Sequence, residues 1–171
     1  DAEDLALAGV SPDGKILAVG TWGEFVYLLE SGNGFTREKI NFAEATALDF
    51  SPNGQLLVLG NTDGKVVVVQ LSSSETINEF KFRDEIATAK FSPDGALLSV
   101  ADAGGAVKIF DISSGTAVYN SAVGGTDLEG PAQTSSLTYS HDSSLLAAVE
   151  FGHRIQVIST IDGKTKARAW P

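Results

Sequence analysis

The chain has 171 residues, of which 43% are hydrophobic and 20% charged, a composition that is ordinary for one folded globular unit. Its formal net charge is −10 and its 12 basic residues are scattered, which argues against a surface that binds nucleic-acid phosphates. The absence of cysteine excludes disulfides and thiolate metal sites. No apolar run approaches the roughly 18 residues of a membrane span. We therefore expect neither nucleic acid nor a membrane as a partner. The compartment stays open, because a chain without cysteine suits the cytosol and the exterior alike, and of the two the cytoplasm is favoured.

Four copies of one sequence pattern divide the chain. They are VSPDGKILAVG at 10–20, FSPNGQLLVLG at 50–60, FSPDGALLSVA at 91–101 and YSHDSSLLAAV at 139–149. Their serines are Ser11, Ser51, Ser92 and Ser140, so the copies are 40, 41 and 48 residues apart. A period near 40 residues indicates a stacked repeat architecture. The predicted modules are approximately 5–42, 45–82, 86–123 and 135–170.

The second copy shows how one module is built. Ala45–Phe50 alternates small and large side chains, and Ser51–Gly54 contains Pro and Asn-Gly, which favour a reversal of the chain. Gln55–Gly60 is mostly apolar, and Lys65–Leu71 carries four consecutive valines, a residue type that favours strands. Thr76–Phe82 alternates polar and apolar residues, as an outer strand does. The pattern predicts four strands of decreasing burial in one antiparallel sheet, and an all-β chain of four such sheets.

This pattern resembles the WD40 β-propeller family, whose modules of about 40–45 residues each form a four-stranded blade. The resemblance rests on the Ser-Pro-Asp/Asn-Gly turns, on Thr62–Gly64 and on Val107–Asp111, where Phe110-Asp111 stands at the family's Trp-Asp dipeptide. The repeats are degenerate, because the Gly-His pair is absent from every copy and the structural Asp before the third strand remains only as Asp63. The resemblance implies a β-propeller of four blades in which apolar packing replaces most of the family's internal hydrogen bonds.

Four blades leave the closure of the ring open. A closed ring normally has 4–8 blades, and blades of the WD40 type resemble those of six- to eight-membered rings. We favour a segment of a larger propeller that the remainder of the same chain completes. The alternatives are a second copy, which would make eight blades, and a ring that closes on its own four blades. An open arc would leave apolar sheet faces exposed at both ends.

The resemblance also implies a partner-binding face, formed by the loops between second and third strands and by the links between blades. Trp22 stands out there, because the same position holds Thr62, Ala103 or Phe151 in the other copies. An exposed Trp is an efficient interface anchor, and the alternative is that it folds back over a neighbouring blade. The predicted partner-binding residues are Trp22, Glu24, Arg83, Asp84, Glu85, Asp127, Leu128, Glu129, Phe151, His153 and Arg154.

The third module is followed by an insertion. The last step between copies is the longest, and the surplus lies within 120–135, NSAVGGTDLEGPAQTS, whose glycines and proline predict a loop. Loops that lengthen on a rigid scaffold often carry function, and a neutral surface excursion fits the same residues equally well.

Catalytic and metal-binding patterns are weak. His141 and His153 flank one predicted strand and should lie on opposite rims, and the insertion offers only Asp127 and Glu129 as acidic calcium ligands. The nucleophile elbow, the phosphate loop and the His-Glu-x-x-His motif are absent. We predict a non-enzymatic scaffold for other proteins, within a larger protein or complex and without cofactor or metal. The alternative is a propeller accessory to an enzyme, peptidase-gating or quinoprotein-like, with catalytic residues outside this segment.

Overall fold

The structure is a computed structural model that describes residues 4–32, 36–122, 134–150 and 154–169. Within these residues, sixteen strands form four separate four-stranded sheets, and no helix occurs. Every sheet is antiparallel and uses four consecutive strands in chain order, from the innermost to the outermost. The prediction of an all-β chain with four antiparallel four-stranded sheets is confirmed.

The strand bounds are as follows. The first sheet contains β1 (Leu5–Val10), β2 (Ile16–Thr21), β3 (Phe25–Glu30) and β4 (Thr36–Asn41). The second contains β5 (Ala45–Phe50), β6 (Leu56–Asn61), β7 (Lys65–Gln70) and β8 (Glu75–Lys81). The third contains β9 (Ile86–Phe91), β10 (Leu97–Asp102), β11 (Ala106–Asp111) and β12 (Ala117–Ala122). The fourth contains β13 (Thr134–Tyr139), β14 (Leu145–Glu150), β15 (Arg154–Ser159) and β16 (Thr165–Ala169). The strands predicted in the second copy agree with β5 to β8 within one residue at each end.

Burial does not decrease steadily from the innermost strand to the outermost, and the sequence prediction is wrong on this point. In the second sheet, Leu57–Asn61 of β6 and Val66–Val69 of β7 are entirely buried, whereas β5 alternates between buried and half-buried residues. The two middle strands are covered on both faces, because a neighbouring sheet packs on each side. The innermost strand borders the central space and is therefore only partly covered.

Three apolar cores join neighbouring sheets. The first contains Ala18, Val26 and Leu28 from the first sheet and Leu57, Leu59, Val67 and Val69 from the second. The core between the second and third sheets contains Val58, Val66 and Val68 with Leu98, Val100 and Phe110. The core between the third and fourth sheets contains Ala101, Val107 and Ile109 with Leu146, Ala148 and Ile158. All of these side chains are at most 5% exposed. Burial of each large aliphatic side chain contributes about 1.5–3 kcal/mol, so packing between blades is the main cohesive term.

The same hydrogen bonds hold the four turns between first and second strands. In the first turn, Ser11 Oγ donates to Asp13 Oδ1 at 2.7 Å and accepts from Ile16 N at 2.9 Å. Asp13 Oδ1 also accepts from Lys15 N at 3.1 Å. The equivalent bonds recur at the turns that begin at Ser51, Ser92 and Ser140. This purely local network explains why the turn sequence is repeated along the chain.

These turns also contact each other from blade to blade. A Cβ on Gly54 would lie 3.6 Å from Cδ of Pro12, and the third turn meets the second in the same way. In the fourth copy Ser143 replaces the glycine, and its Oγ accepts a hydrogen bond from Asp94 N at 3.2 Å. The turns therefore form one continuous edge, which we call the Ser-Pro rim. Its segments are 11–14, 51–54, 92–95 and 140–143.

The four sheets form an open arc. Innermost strand β5 packs against β1 and β9, and β13 packs against β9, but no described strand of the fourth sheet packs in this way against the first. Val10 in β1 is consequently 58% exposed, whereas Phe50 and Phe91 at the same position of β5 and β9 are 8% and 7% exposed.

We expect Leu57→Ala to lower the free energy of unfolding by about 2–5 kcal/mol, because it opens a cavity between the first and second sheets. Leu17 occupies the equivalent position on the outer face of the first sheet, where it is only half-buried. Leu17→Ala should therefore cost less than half as much. Denaturant unfolding measures both variants, and equal losses would contradict the open arc.

The turn aspartates predict an acid dependence of stability. The hydrogen bond from Ser140 lowers the pKa of Asp142 to about 2, with further bonds from Ser144. Because this folded-state pKa lies below that of an unfolded chain, the ionised turn stabilises the fold above about pH 4, and the contribution is lost as the pH falls through about 2. Ser140→Ala should raise the Asp142 pKa towards its ordinary value in an NMR titration of the carboxyl carbon.

Ser51→Ala is the matched control, because its turn partner Asn53 does not titrate. A Ser140→Ala protein with an unchanged Asp142 pKa would refute this account of the turn.

Candidate functional site

The opposite edge of the sheets carries the turns between second and third strands and the links between blades. We call it the Trp22 rim, and its described segments are 22–24, 42–44, 62–64, 82–85 and 103–105. Backbone hydrogen bonds connect these loops in series. Glu44 N donates to Gly23 O at 2.9 Å, and Thr62 N donates to Glu44 O at 3.3 Å. The third blade continues the series, since Ala103 N donates to Glu85 O at 2.7 Å.

Each turn of this rim is closed by a side chain from the end of the second strand. Lys65 N donates to Asn61 Oδ1 at 2.9 Å, and Ala106 N donates to Asp102 Oδ1 at 2.8 Å. In the first blade Thr21 occupies the equivalent position, and its Oγ1 accepts a hydrogen bond from Gly23 N at 3.2 Å. Asn61 and Asp102 are 6% and 1% exposed, so these polar groups belong to the framework of the turns.

The resemblance gives Asp63 the place of the family's structural Asp before the third strand. The structure corrects this assignment, because Asn61 closes the turn instead. The side chain of Asp63 is exposed and accepts no hydrogen bond from the part of the chain that the structure describes. The framework acceptors lie two residues earlier, at Asn61 and its equivalents. Their signal in the sequence is a polar residue that ends the apolar run of each second strand, at Thr21, Asn61 and Asp102.

Trp22 is 54% exposed and is the one aromatic residue among the exposed large hydrophobic residues of the described chain. Its backbone N donates to Asp4 O at 3.1 Å, which fixes the loop while the indole stays outside. The side chain is therefore not folded under a neighbouring blade of this arc. Glu24, two residues further, is also exposed. An exposed indole contributes little to the fold and offers a large apolar surface to a partner.

The link between the second and third blades holds three further predicted residues. Phe82, at 4% exposure, anchors the link in the core. Asp84 lies directly against Gly104, which has no side chain to displace it. Arg83 and Glu85 are exposed on either side. The structure thus places Arg83, Asp84 and Glu85 on the same rim as Trp22, two blades away from it.

The carboxylates of the two rims differ in their partners. On the Ser-Pro rim, a serine hydroxyl and a backbone N–H bind each of Asp13, Asp94 and Asp142. The exposed carboxylates of the Trp22 rim that accept no hydrogen bond within the described ranges are Glu24, Asp63, Asp84 and Glu85. The Trp22 rim therefore presents carboxylates that the fold does not use, and two exposed cations lie among them: Arg83, and Lys81, whose Nζ donates to Asp63 O at 2.6 Å.

Several of the predicted partner-binding residues are not among those that the structure describes. Asp127, Leu128, Glu129, Phe151 and His153 fall outside the described residues, and so does the side chain of Arg154, the first residue of β15. Their roles, and that of the insertion, stay predictions. His141 is exposed on the Ser-Pro rim.

The central space offers no free acid or base of the described chain for chemistry. A cleft of about 310 Å³ lies between β1 and β5 and includes Asp49 and Lys90 in its lining. Lys90 Nζ is 3.0 Å from Asp49 Oδ1, and Phe91 N donates to Asp49 Oδ2 at 3.0 Å. The Asp49 carboxylate thus ties the second sheet to the third.

The described residues contain no group of three or more His, Asp or Glu side chains arranged to hold a metal ion. They also contain no helix with the length and apolar character needed to cross a membrane.

Part of the sequence matches a known family. Residues 36–90 match the family model of the anaphase-promoting complex subunit 4 WD40 domain. These 55 of the 171 residues comprise β4, the whole second blade and most of β9. No curated protein matches the sequence.

Two solved structures share the fold. The chain matches the β-propeller domain of Myceliophteria thermophila Cps50 (Swd1) with a TM-score of 0.86 and 18% identity, covering 99% of this chain and 56% of that one. It matches hydrazine synthase of Kuenenia stuttgartiensis with a TM-score of 0.83 and 21% identity, covering 100% and 50%. The chain thus spans about half the length of these structures. The shared fold confirms the predicted β-propeller architecture, and residues 36–90 are similar in sequence to a WD40 domain.

We expect Asp102→Ala to lower the free energy of unfolding by about 1–3 kcal/mol, because it leaves the Ala106 N–H without its buried acceptor. Asp63→Ala is the matched control, since it removes an exposed carboxylate from the equivalent turn of the second blade. The control should change stability by no more than about 0.5 kcal/mol. Thermal and denaturant unfolding measure the stability of both variants. A larger loss for Asp63→Ala would show that Asp63, and not the residue equivalent to Asp102, supports the turn.

Proposed function

We propose that this chain is a non-enzymatic scaffold for protein–protein interaction and that its Trp22 rim holds the partner. The observation that carries the proposal is the exposed indole of Trp22 on a loop whose backbone is fixed. WD40-like propellers in general bind other proteins, which supports the class of function. The scaffold acts within a larger protein or complex, because two sheet faces of this arc have no neighbouring blade.

The geometry of the Trp22 loop favours binding. Buried Thr21 holds the start of the loop through its Oγ1, and the backbone of Gly23 accepts a hydrogen bond from Glu44 N. A partner therefore meets an indole whose loop is already ordered, which lowers the entropy cost of association. Tryptophans in such positions are among the residues that contribute most to interfaces.

Charge indicates which partners this rim accepts. Glu24 lies in the same loop as Trp22, and Asp63, Asp84 and Glu85 continue the acidic surface over the next two blades. Arg83 is the exposed cation on the described links of the rim. Together with the net charge of −10, this arrangement favours partner proteins with a neutral or basic contact surface.

The second candidate function is a propeller accessory to an enzyme. The observation that favours it is the fold shared with hydrazine synthase, whose name is that of an enzyme. At 21% identity this likeness concerns the fold, and the catalytic residues would lie outside the 171 residues. The two candidates are distinguished by whether the protein isolated with its native partners carries an enzymatic activity that is lost when they are removed.

The test of the scaffold function uses Trp22→Ala. Partners captured with the wild-type chain are identified, and the dissociation constant for each purified partner is then measured for wild type and variant. We expect a loss of about 2 kcal/mol or more, equal to about 30-fold in affinity, because the indole is an anchor. The melting temperature should stay nearly unchanged, since the side chain is exposed.

Ile161→Ala is the matched control, because Ile161 is an apolar residue with 84% exposure in a turn on the opposite edge. Equal losses of affinity in both variants, or a large fall in the melting temperature of Trp22→Ala, would contradict the proposal.

A further inference from the structure

The four turns of the Ser-Pro rim differ in the chemistry of their third residue. The first, third and fourth turns carry a carboxylate there, and the second carries the amide of Asn53. In the three carboxylate turns the serine Oγ lies 2.7, 2.5 and 2.6 Å from the acceptor oxygen, whereas Ser51 Oγ lies 2.8 Å from Asn53 Oδ1. The second turn therefore has the geometry of the others but a neutral acceptor, which binds the hydroxyl less strongly than a carboxylate does.

Asn53 is also the residue of this turn that is open to a covalent change. Asparagine is thermolabile, most of all before glycine, because no side chain then shields the next backbone nitrogen from the asparagine amide. Asn53 is exposed and is followed by Gly54. Gly54 has a φ of +67°, and Pro12 Cδ, at 3.6 Å, is the one described atom beyond its chain neighbours within 4 Å of where a Cβ would stand.

The hydrogen bonds of the turn act on this reaction in two ways. Asn53 Oδ1 accepts from Ser51 Oγ at 2.8 Å and from Gln55 N at 3.0 Å, and both donors stabilise negative charge that develops on this oxygen. Gly54 N donates to Ser51 O at 2.8 Å, so this bond must open before the nitrogen can react. Because the turn lies at the surface, the opening is local and does not require the sheets to separate.

We propose that Asn53 is a site of spontaneous deamidation and that the turn accommodates the aspartate product but not the isoaspartate product. Gly54 N loses its proton and bonds to Asn53 Cγ, and the Cγ–Nδ2 bond breaks as ammonia leaves with one added proton. The intermediate is a five-membered succinimide. Water that adds to Cγ reopens the ring to aspartate, and water that adds to the main-chain carbonyl carbon gives isoaspartate. Water is the one co-reactant, and nothing is oxidised or reduced.

The aspartate product has the acceptor that the other three turns already use. Asn53 Nδ2 makes only a long contact, 3.5 Å to Gln55 Oε1, and rotation of the Gln55 amide would present a donor to the new carboxylate. In the other turns, the bond from the serine hydroxyl holds the pKa of the carboxyl below its ordinary value, at Asp13, Asp94 and Asp142. An aspartate at position 53 should therefore stabilise the fold at neutral pH, and this gain is lost as the pH falls below about 4.

The isoaspartate product does not fit the same turn. It carries the main chain through Cβ and Cγ, which adds one bond between residues 53 and 54. The turn is closed by Gly54 N on Ser51 O at 2.8 Å and by Leu56 N on Ser51 Oγ at 2.9 Å, and Phe50 pairs with Leu57 directly beyond it. A longer main chain cannot keep these bonds and the register of β5 and β6 together.

Mass spectrometry of the purified protein, stored folded at mildly alkaline pH, tests the first part. Fragment masses assign the acid form to a residue, which also separates Asn53 from Asn33, whose Asn-Gly pair lies outside the described residues. The acid form should accumulate at Asn53 at least about 10-fold faster than at Asn61, which is 6% exposed and opens only with its strand. Asp94→Asn is the matched control, because it places the same Asn-Gly pair in the third turn and should make that position reactive too.

Melting temperatures test the second part. Asn53→Asp should melt about 2–4 °C above wild type at neutral pH, the shift expected from one stronger hydrogen bond in a chain of this size, and the difference should vanish in acid. Asp94→Asn should melt below wild type, and chromatographically separated isoaspartate protein should melt below both wild type and Asn53→Asp.

Two results would overturn the proposal. One is an Asn53 that stays intact in the folded protein while the same protein in urea forms the acid, since the turn would then block the reaction. The other is an Asn53→Asp variant that melts below wild type at neutral pH, since the turn would then reject the aspartate product.

Discussion

The constraint on which this structure depends is that each sheet is apolar on both faces and needs a neighbour on each. Val66–Val69 in β7 is an unbroken run, where a sheet with one exposed face would show alternation. Because each buried aliphatic side chain contributes about 1.5–3 kcal/mol and a hydrogen bond a net 0.5–1.5 kcal/mol or so, packing between sheets dominates the stability. The arc, its two rims and its two unfinished ends all follow from this need.

The stacking of antiparallel sheets also divides the polar residues between two rims with different tasks. On the Ser-Pro rim, the turn is tight enough that the side chains of Ser11 and Asp13, and of their equivalents, form their hydrogen bonds within the turn itself. On the Trp22 rim, the buried strand ends at Asn61 and Asp102 hold the turns, which frees the residues beyond them. Side chains that the fold does not need, Trp22 and Glu24 among them, accumulate on that rim and are exposed.

The sequence predicts those parts of the structure that local chemistry decides. The Ser-Pro-Asn-Gly turns are local, so the strands of the second copy are placed within one residue. The assignment of a framework role to Asp63 fails, because Asn61 and Asp63 are both polar turn residues and only the path of the backbone selects one. The greater burial of β6 over β5 depends on neighbouring sheets, and the exposure of Trp22 depends on loops from another blade. Neither is encoded in a single repeat.

The unfinished end and the candidate site meet in the first blade. Trp22 follows β2, the strand whose Leu17 lies on the outer face of the first sheet, and the backbone of its loop is joined to Glu44 of the second blade through Gly23. The Trp22 loop therefore lies at the end of a sheet whose outer face no described strand covers. Any neighbour that packs on this face lies next to Trp22, so the packing constraint and the candidate site are linked at this edge of the first blade.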